Sequence, residues 1–419
     1  MTRYLRLGAS AFAAVFMLSG AAFAAGPACG LSNGTAATGE PITIGAITGK
    51  TGPDDFSAST RSAQAYFDCV NANGGINGRP VSYQIGDDQW NPEVAAQLAA
   101  KIVNDEGAVA LAGSASFVEC GANADLYKSA GVVSIAGVGV PRECFSASNY
   151  APANAGPRLS TIAAAEYAGD VLGAKSFVCI GPNIPNVGPW ACDGVKGWAE
   201  SKGFTSESIL IDPATLDAAS VVLQAASYNP DAIVLSLPKG LMLPVLTAAE
   251  EQGLNETIKF VSAASGYDLT VPATLGAAWD GKFWVNMEFN ALGSDGPDNQ
   301  NWLSVMDAFA PADAPRDTFS QAGYLAARIV TEAMLTLDPA KIDRASVTTA
   351  LGEVKSFKSD IFCNDWYFGA GAARQNANHA TRMSVTEGGV WKAISECANS
   401  GDPELADITA YEAANGIGK

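Results

Sequence analysis

Ile42-Thr43-Ile44-Gly45-Ala46-Ile47-Thr48-Gly49-Lys50-Thr51-Gly52-Pro53 opens a strand–turn–helix cycle. Ile42, Ile44 and Ala46 alternate at the strand period, Thr51-Gly52-Pro53 breaks the run, and Ala63, Tyr66, Phe67 and Val70 then recur at helical spacing. Gly74-Gly75 ends that helix, Val81, Tyr83 and Ile85 alternate as a second strand, Asp87 to Pro92 turns, and Val94, Leu98, Ile102 and Val103 mark the next helix. Val109 to Ala112 and Val132 to Val138 read as further strands around a helix near residues 122–129. Repeated strand–helix units predict a parallel sheet covered on both faces, because parallel neighbours need a crossover connection.

Working outward, a second series begins after Pro157. Helices are predicted over 161–172, leading up to Gly203, over 218–227 and over 241–252. Strands alternate with them at Phe177 to Ile180, Ile209 to Ile211, Ala232 to Leu237 and Lys259 to Ser262. Phe283 to Met287 is read as a strand returning toward the first lobe, and a long helix with one apolar side follows over 321–337. Asp365 to Phe368 is predicted as a strand, and Thr381 to Ile394 as a hairpin turning at Gly388-Gly389. The fold class is therefore α/β, with two doubly wound parallel-sheet lobes. Lobe 1 is expected over 40–157 plus 287–355, and lobe 2 over 158–286 plus 356–405.

At 419 residues, with 48% hydrophobic and 16% charged residues, the chain can bury one or two substantial cores. Its 25 Lys and Arg against 43 Asp and Glu give a formal charge of -18, which repels phosphate backbones and anionic headgroups and argues against nucleic acid or membrane-surface partners. The single histidine, His379, excludes a two-histidine zinc motif or a histidine relay by counting. No metal and no cofactor are expected.

Residues 1–24 read as a secretory signal: Arg3 and Arg6 form the positive end, Leu7 to Leu18 the apolar stretch, and Ala22-Phe23-Ala24 a small-x-small cleavage pattern, so the mature chain is expected to start near Ala25. The apolar stretch is shorter than the roughly 20 residues a spanning helix needs. Cys29 follows Gly26-Pro27-Ala28 and lacks the upstream leucine of a lipidation site, which favours a soluble exported protein. All eight cysteines lie after the cleavage site, and in an oxidising compartment an even number makes disulfides the leading reading. Spacing alone does not fix connectivity. Pairing by local topology would join Cys29 to Cys69, Cys120 to Cys144, Cys179 to Cys192 and Cys363 to Cys397.

The opening run, the later Asn71-Ala72-Asn73-Gly74-Gly75-Ile76-Asn77-Gly78-Arg79-Pro80, Asp87-Asp88 before a helix, Ile102-Val103-Asn104-Asp105 and the Gly113-Ser114 turn resemble the branched-chain amino-acid-binding (Leu/Ile/Val-binding) family of type I periplasmic binding proteins. Each motif is moderately specific; their order and spacing across nearly the whole mature chain carry the resemblance. It implies two lobes joined by a multi-segment hinge, a small molecule trapped in the interlobe cleft, an ABC transporter permease as partner, a periplasmic location and a monomer. It implies no catalysis.

Open α/β sheets bind ligands beyond the carboxyl ends of their strands. That places the cleft on the loops 51–59, 89–92, 114–119, 138–142, 181–190, 237–241, 263–267 and 287–290. The resemblance puts carboxylate anchors at Ser116 or Phe117 and at Val140, and an ammonium-binding acid at Ala264. Two of these three anchors are missing. A buried ammonium without an opposing acid would cost several kcal/mol in desolvation, so Ala264 argues against an α-amino acid, although Asp268 and Glu288 are close by in sequence. Phe56, Trp90, Phe117, Val138, Val140, Trp190, Pro238 and Phe289 offer an apolar, largely aromatic surface instead. Lys239, Arg142 or N–H groups at the helix start after Ser116 are candidates to hold a carboxylate. The inventory predicts an apolar or aromatic carboxylate, with amino-acid or amide binding, a ligand-sensing module and an exported enzyme as alternatives. Against the enzyme, the string Gly30-Leu31-Ser32-Asn33-Gly34 precedes the first strand, whereas a nucleophile elbow joins a strand to a helix.

Overall fold

The computed structural model describes residue 1 and residues 26–369 and 374–417; the export segment predicted over 1–24 lies, but for residue 1, outside them. Two sheets form. The first contains β1 (Ile42–Thr48), β2 (Val81–Asp87), β3 (Ala110–Ala112), β4 (Ala115–Ser116), β5 (Ser134–Ile135) and β6 (Val138–Gly139), with β1 parallel to β2, β3 and β4. β3 and β4 are two pieces of one interrupted strand beside β1, and β5 and β6 form the next interrupted strand.

These interruptions correct the single strand predicted over Val132 to Val138. Helix Ala58–Ala72 begins against the sheet at this point, and the Ser59 hydroxyl donates to the Gly113 carbonyl at 2.7 Å. The Ser114 carbonyl accepts from both Gly137 and Val138 N–H, so the backbone buckles between β5 and β6. Helix Thr318–Leu335 arrives at the same place: a Cβ on Gly323 would sit 1.9 Å from the Ser59 carbonyl oxygen. Gly323→Ala is therefore expected to push the two helices apart and to destabilise the protein by about 1–3 kcal/mol, measured by chemical denaturation. An unaltered midpoint would show that the helices separate without cost.

The second sheet runs β13-β12-β11-β10-β9-β7-β8, built from β7 (Ser176–Pro182), β8 (Thr205–Ile211), β9 (Ala232–Leu235), β10 (Lys259–Ser262), β11 (Phe283–Met287), β12 (Ala380–Glu387) and β13 (Val390–Ala393), with β14 (Ala398–Asn399) beside β12. β7 to β11 are mutually parallel, whereas β12 and β13 form an antiparallel hairpin on the edge of β11. β11 thus belongs to the second sheet rather than returning to the first. The chain crosses only afterwards, to helices Pro297–Phe309 and Thr318–Leu335, which pack on helix Ala58–Ala72. The strand predicted over Asp365 to Phe368 is reduced to an isolated bridge between Phe357 and Trp366.

Among the described residues, three segments cross between the sheets, near residues 151–157, 288–292 and 354–369 with 374–379. They are tied to one another: the Asn378 amide donates to the carbonyls of Ala153 at 3.0 Å and Glu288 at 3.2 Å, and the Trp366 indole donates to Pro152 at 3.0 Å. Disulfides join Cys29–Cys69, Cys120–Cys144, Cys179–Cys192 and Cys363–Cys397, the pairing expected from local topology. Among the described residues no helix is long and apolar enough to cross a membrane.

Candidate functional site

The carboxyl ends of the two sheets face each other across a narrow, partly open chamber. Its first wall is aromatic. Phe56, on the loop after β1, stacks on Phe117, which follows β4, with ring centroids 4.9 Å apart, and Phe319 meets Phe56 edge-on at 5.0 Å. Val138, Gly139 and Val140 at the end of β6 complete this side. The opposite wall carries Val187 after β7, Ser236 and Pro238 after β9, and Ala263 and Ser265 after β10. Asn154, Pro157, Ser160 and Glu288 close the hinge end.

Trp90 backs the aromatic wall instead of lining it. Its ring lies 4.1 Å from Phe117 at 15°, and its Nε1–H donates to the Asp54 carbonyl at 3.2 Å. The indole also presses on Gly52, where a Cβ would come within 2.6 Å of the ring and φ is +147°, so only glycine fits that approach. Trp90 thereby holds Phe117 in place.

The remaining expected site residues lie off the chamber. Ser116 donates to buried Asp88 and accepts N–H bonds from Val118 and Glu119 at 3.0 and 2.9 Å; the helix start that was to hold a carboxylate is already capped. Ala264 donates its N–H to Ser160 Oγ at 2.6 Å, leaving its neighbours Ala263 and Ser265 to line the cavity. Phe289, in the bend after β11, does not line the chamber and packs at 5.8 Å from Phe362. Trp190, on helix Gly188–Ser201, packs on Phe145 at 5.6 Å and under the Arg158 guanidinium, which is itself paired with Asp402 at 2.8 Å. Arg142 borders a separate surface depression with Trp190 and Arg374.

Lys239 sits at the chamber's mouth with Asp54, Asp55, Asp268 and Asp317, and its ammonium is bound by Asp268 at 2.7 Å. It is committed to that pair. Next to it the lobes touch: Gly240 N–H donates to Asp54 Oδ2 at 2.9 Å, and further along the rim Arg142 N–H donates to the Asn186 carbonyl at 2.9 Å.

The polar groups around the chamber are otherwise occupied with the backbone or each other. Asn154 holds both the N–H and the carbonyl of Gly139, Ser265 donates to Leu237, and Ser236 meets Thr161 Oγ1 at 3.0 Å. Glu288 accepts from Gly156 N–H at 2.9 Å. Burial pushes its carboxyl up to about 7, outweighing the lowering effect of the Gly156 and Asn154 hydrogen bonds. Among the described residues, neither arginine nor lysine lines the chamber.

The model of the periplasmic binding protein family matches residues 41–389 of this two-sheet chain. The chain belongs to this family. Among curated proteins no match is found. Solved periplasmic binding proteins share the fold at low identity. A fatty acid ABC transporter substrate-binding protein from Thermomonospora curvata has a TM-score of 0.77 at 19% identity, covering 90% of this chain and 97% of that one. A solute-binding protein of an ABC transporter from R. palustris, in complex with 4-hydroxybenzoate, has a TM-score of 0.74 at 18% identity, covering 88% and 100%. A leucine binding protein from Thermotoga maritima has a TM-score of 0.72 at 15% identity, covering 87% and 99%. The fold is thus that of ABC-transporter solute-binding proteins, which bind substrates.

Phe56, Phe117, Val138, Val140 and Pro238 are the expected site residues that come together. Phe319, Asn154, Pro157, Ser160, Val187, Ser236 and Ser265 were not singled out by sequence. Phe319 reaches the cleft from a helix start far along the chain, and only the Asp317 cap, which accepts from Ser320 N–H at 2.8 Å, signals that start.

Proposed function

We propose that this is the extracytoplasmic solute receptor of an ABC importer, exported to the periplasm after cleavage near Ala24/Ala25, acting as a monomer and delivering to a membrane permease a small apolar or aromatic carboxylate. The lobes of this receptor are 40–157 plus 287–355 and 158–286 plus 356–405, and they close about the hinge on the captured molecule. The observation that carries the reading is the aromatic chamber, in which Phe56, Phe117 and Phe319 oppose Val187 and Pro238 from the other lobe. Burying about 200 Å² of an apolar ligand contributes roughly 5 kcal/mol, close to the roughly 5.5 kcal/mol that moves a lobe equilibrium from mostly open to mostly closed. Both walls must be touched for that energy to favour closure. The R. palustris protein's bound 4-hydroxybenzoate supports the ligand class, and the fatty acid protein supports its apolar character.

Purified protein is expected to show a rise of several degrees in its unfolding midpoint with benzoate or 4-hydroxybenzoate and none with leucine or valine. The reverse pattern would replace this ligand class with a zwitterion. Glu288 gives that second reading its one support, since an ionised carboxyl in the chamber would suit an ammonium group.

A further inference from the structure

We infer that Glu288 is the specificity-determining residue of the chamber and that it holds an anionic ligand as a neutral carboxylic acid, donating its O–H to the ligand's carboxylate, so that each anion captured is accompanied by one proton. The inference rests on the aromatic-carboxylate reading above and adds to it the means by which a negative charge is accepted in a cavity without a cation.

A carboxylate entering the chamber leaves water for a space lined by Phe, Val, Pro and Ala, and its charge is costly there unless hydrogen-bond donors meet it. The basic groups nearby are all committed elsewhere. Lys239 is bound to Asp268 at the mouth, with Asp317 beside it, and Arg158 is bound to Asp402 behind the helix that starts at Pro157. On the third crossing segment, His379 is paired with Glu412 at 2.8 Å. Ser265 donates to the Leu237 carbonyl, while Ser160 Oγ accepts the Ala264 N–H and keeps its own O–H as a second, uncharged donor beside Glu288. Glu288 is 4% exposed, sits at the hinge end of the cavity, and receives hydrogen bonds from the Gly156 N–H and the Asn154 side chain. No ionised side chain is among the causes that set its acidity; burial dominates, and the carboxyl keeps its proton to about pH 7. In that form it offers a buried O–H donor to an acceptor such as a carboxylate. An ionised Glu288 would instead repel it across a low-dielectric space.

The sign of the resulting pH dependence is fixed. Carboxylic acids such as benzoic acid, with pKa values near about 4, stay ionised from pH 5.5 to 8.5, so only the protein's proton varies. Benzoate affinity measured by isothermal titration is expected to be level below about pH 6.5 and to weaken by about tenfold per pH unit above about 7.5. Titration at pH 8 in buffers of different ionisation enthalpy is expected to show close to one proton taken up per benzoate bound. Glu288→Gln, whose amide N–H donates at every pH, is expected to abolish the slope and to bind benzoate about 30-fold more tightly than the unaltered protein at pH 8.5.

A benzoate affinity that is level or rises with pH in the unaltered protein, with no proton uptake, overturns the inference while leaving the aromatic-acid reading intact. Failure of benzoate and 4-hydroxybenzoate to bind at any pH, with leucine binding more tightly as pH rises, overturns both. The proton-uptake measurement decides the matter if the variant does not fold.

Discussion

The ligand-free protein is expected to lose stability steadily as the pH rises from 6 to 8.5, with the unfolding midpoint falling by several degrees. Glu119 follows the Ser116 turn and is 1% exposed; burial lifts its carboxyl to about 8, although the hydroxyls of Tyr127 and Tyr150 donate to it at 2.8 and 3.3 Å and pull the other way. Glu288 is raised to about 7 by the same cause. In the unfolded chain both ionise near about 4.3, so above that value the native state alone retains the protons. A raised carboxyl therefore favours the fold at low pH and ceases to do so as the pH climbs through its folded value. At roughly 1.4 kcal/mol per pH unit for each retained proton, the two together account for about 4 kcal/mol across this window. The carboxylates held low by hydrogen bonds, Asp87 and Asp231 among them, lose their contribution only in strong acid and do not oppose the trend. Calorimetry on the unaltered protein and on Glu119→Gln checks this: the variant should show a shallower slope, and midpoints that coincide across the window in the unaltered protein would sink the assignment.

Phe117→Ala is expected to weaken benzoate binding by about 30-fold or more, because the ring is a wall of the chamber and its removal forfeits about 2 kcal/mol of apolar contact. Phe289→Ala supplies the contrast. That ring is 1% exposed and packs away from the chamber against Phe362, so its loss should lower stability by about 3–5 kcal/mol while leaving the benzoate Kd as it was. If both variants lose affinity and stability in the same proportion, Phe117 is a core residue and the chamber is not where benzoate sits. Titration calorimetry at pH 6 and denaturant unfolding separate the two readouts.

Much of the architecture is legible from periodicity. Strands β1, β2, β7, β10 and β11 show alternating or continuous apolar runs bounded by turn residues, and their positions follow. The interrupted strands do not, because the buckle at Gly113 and Gly137 is imposed by Ser59 and Gly323, which lie far off in sequence. Nor does the membership of β11, since a strand's own pattern says nothing about which sheet it joins. In the cleft, Phe56, Phe117 and Pro238 lie on the loops after β1, β4 and β9, and the α/β rule puts ligand-facing positions on such loops. Trp90, Trp190 and Phe289 are aromatic residues on the expected loops, but one stacks behind the wall and two pack elsewhere, a distinction that composition does not carry. Glu288 was visible only as a nearby acid; its role depends on the burial that three converging segments create.

The amide of Asn378 grips two neighbouring crossings at once, so the three connections between the halves are pinned at a single point. Independent bending of each connection would break that grip. A swing of the halves that keeps both hydrogen bonds would turn about that pin, and Glu288, whose carbonyl is one of the two gripped groups, would move less than the aromatic wall. A solute leaving the cleft would accordingly part from the rings first and from the carboxyl last.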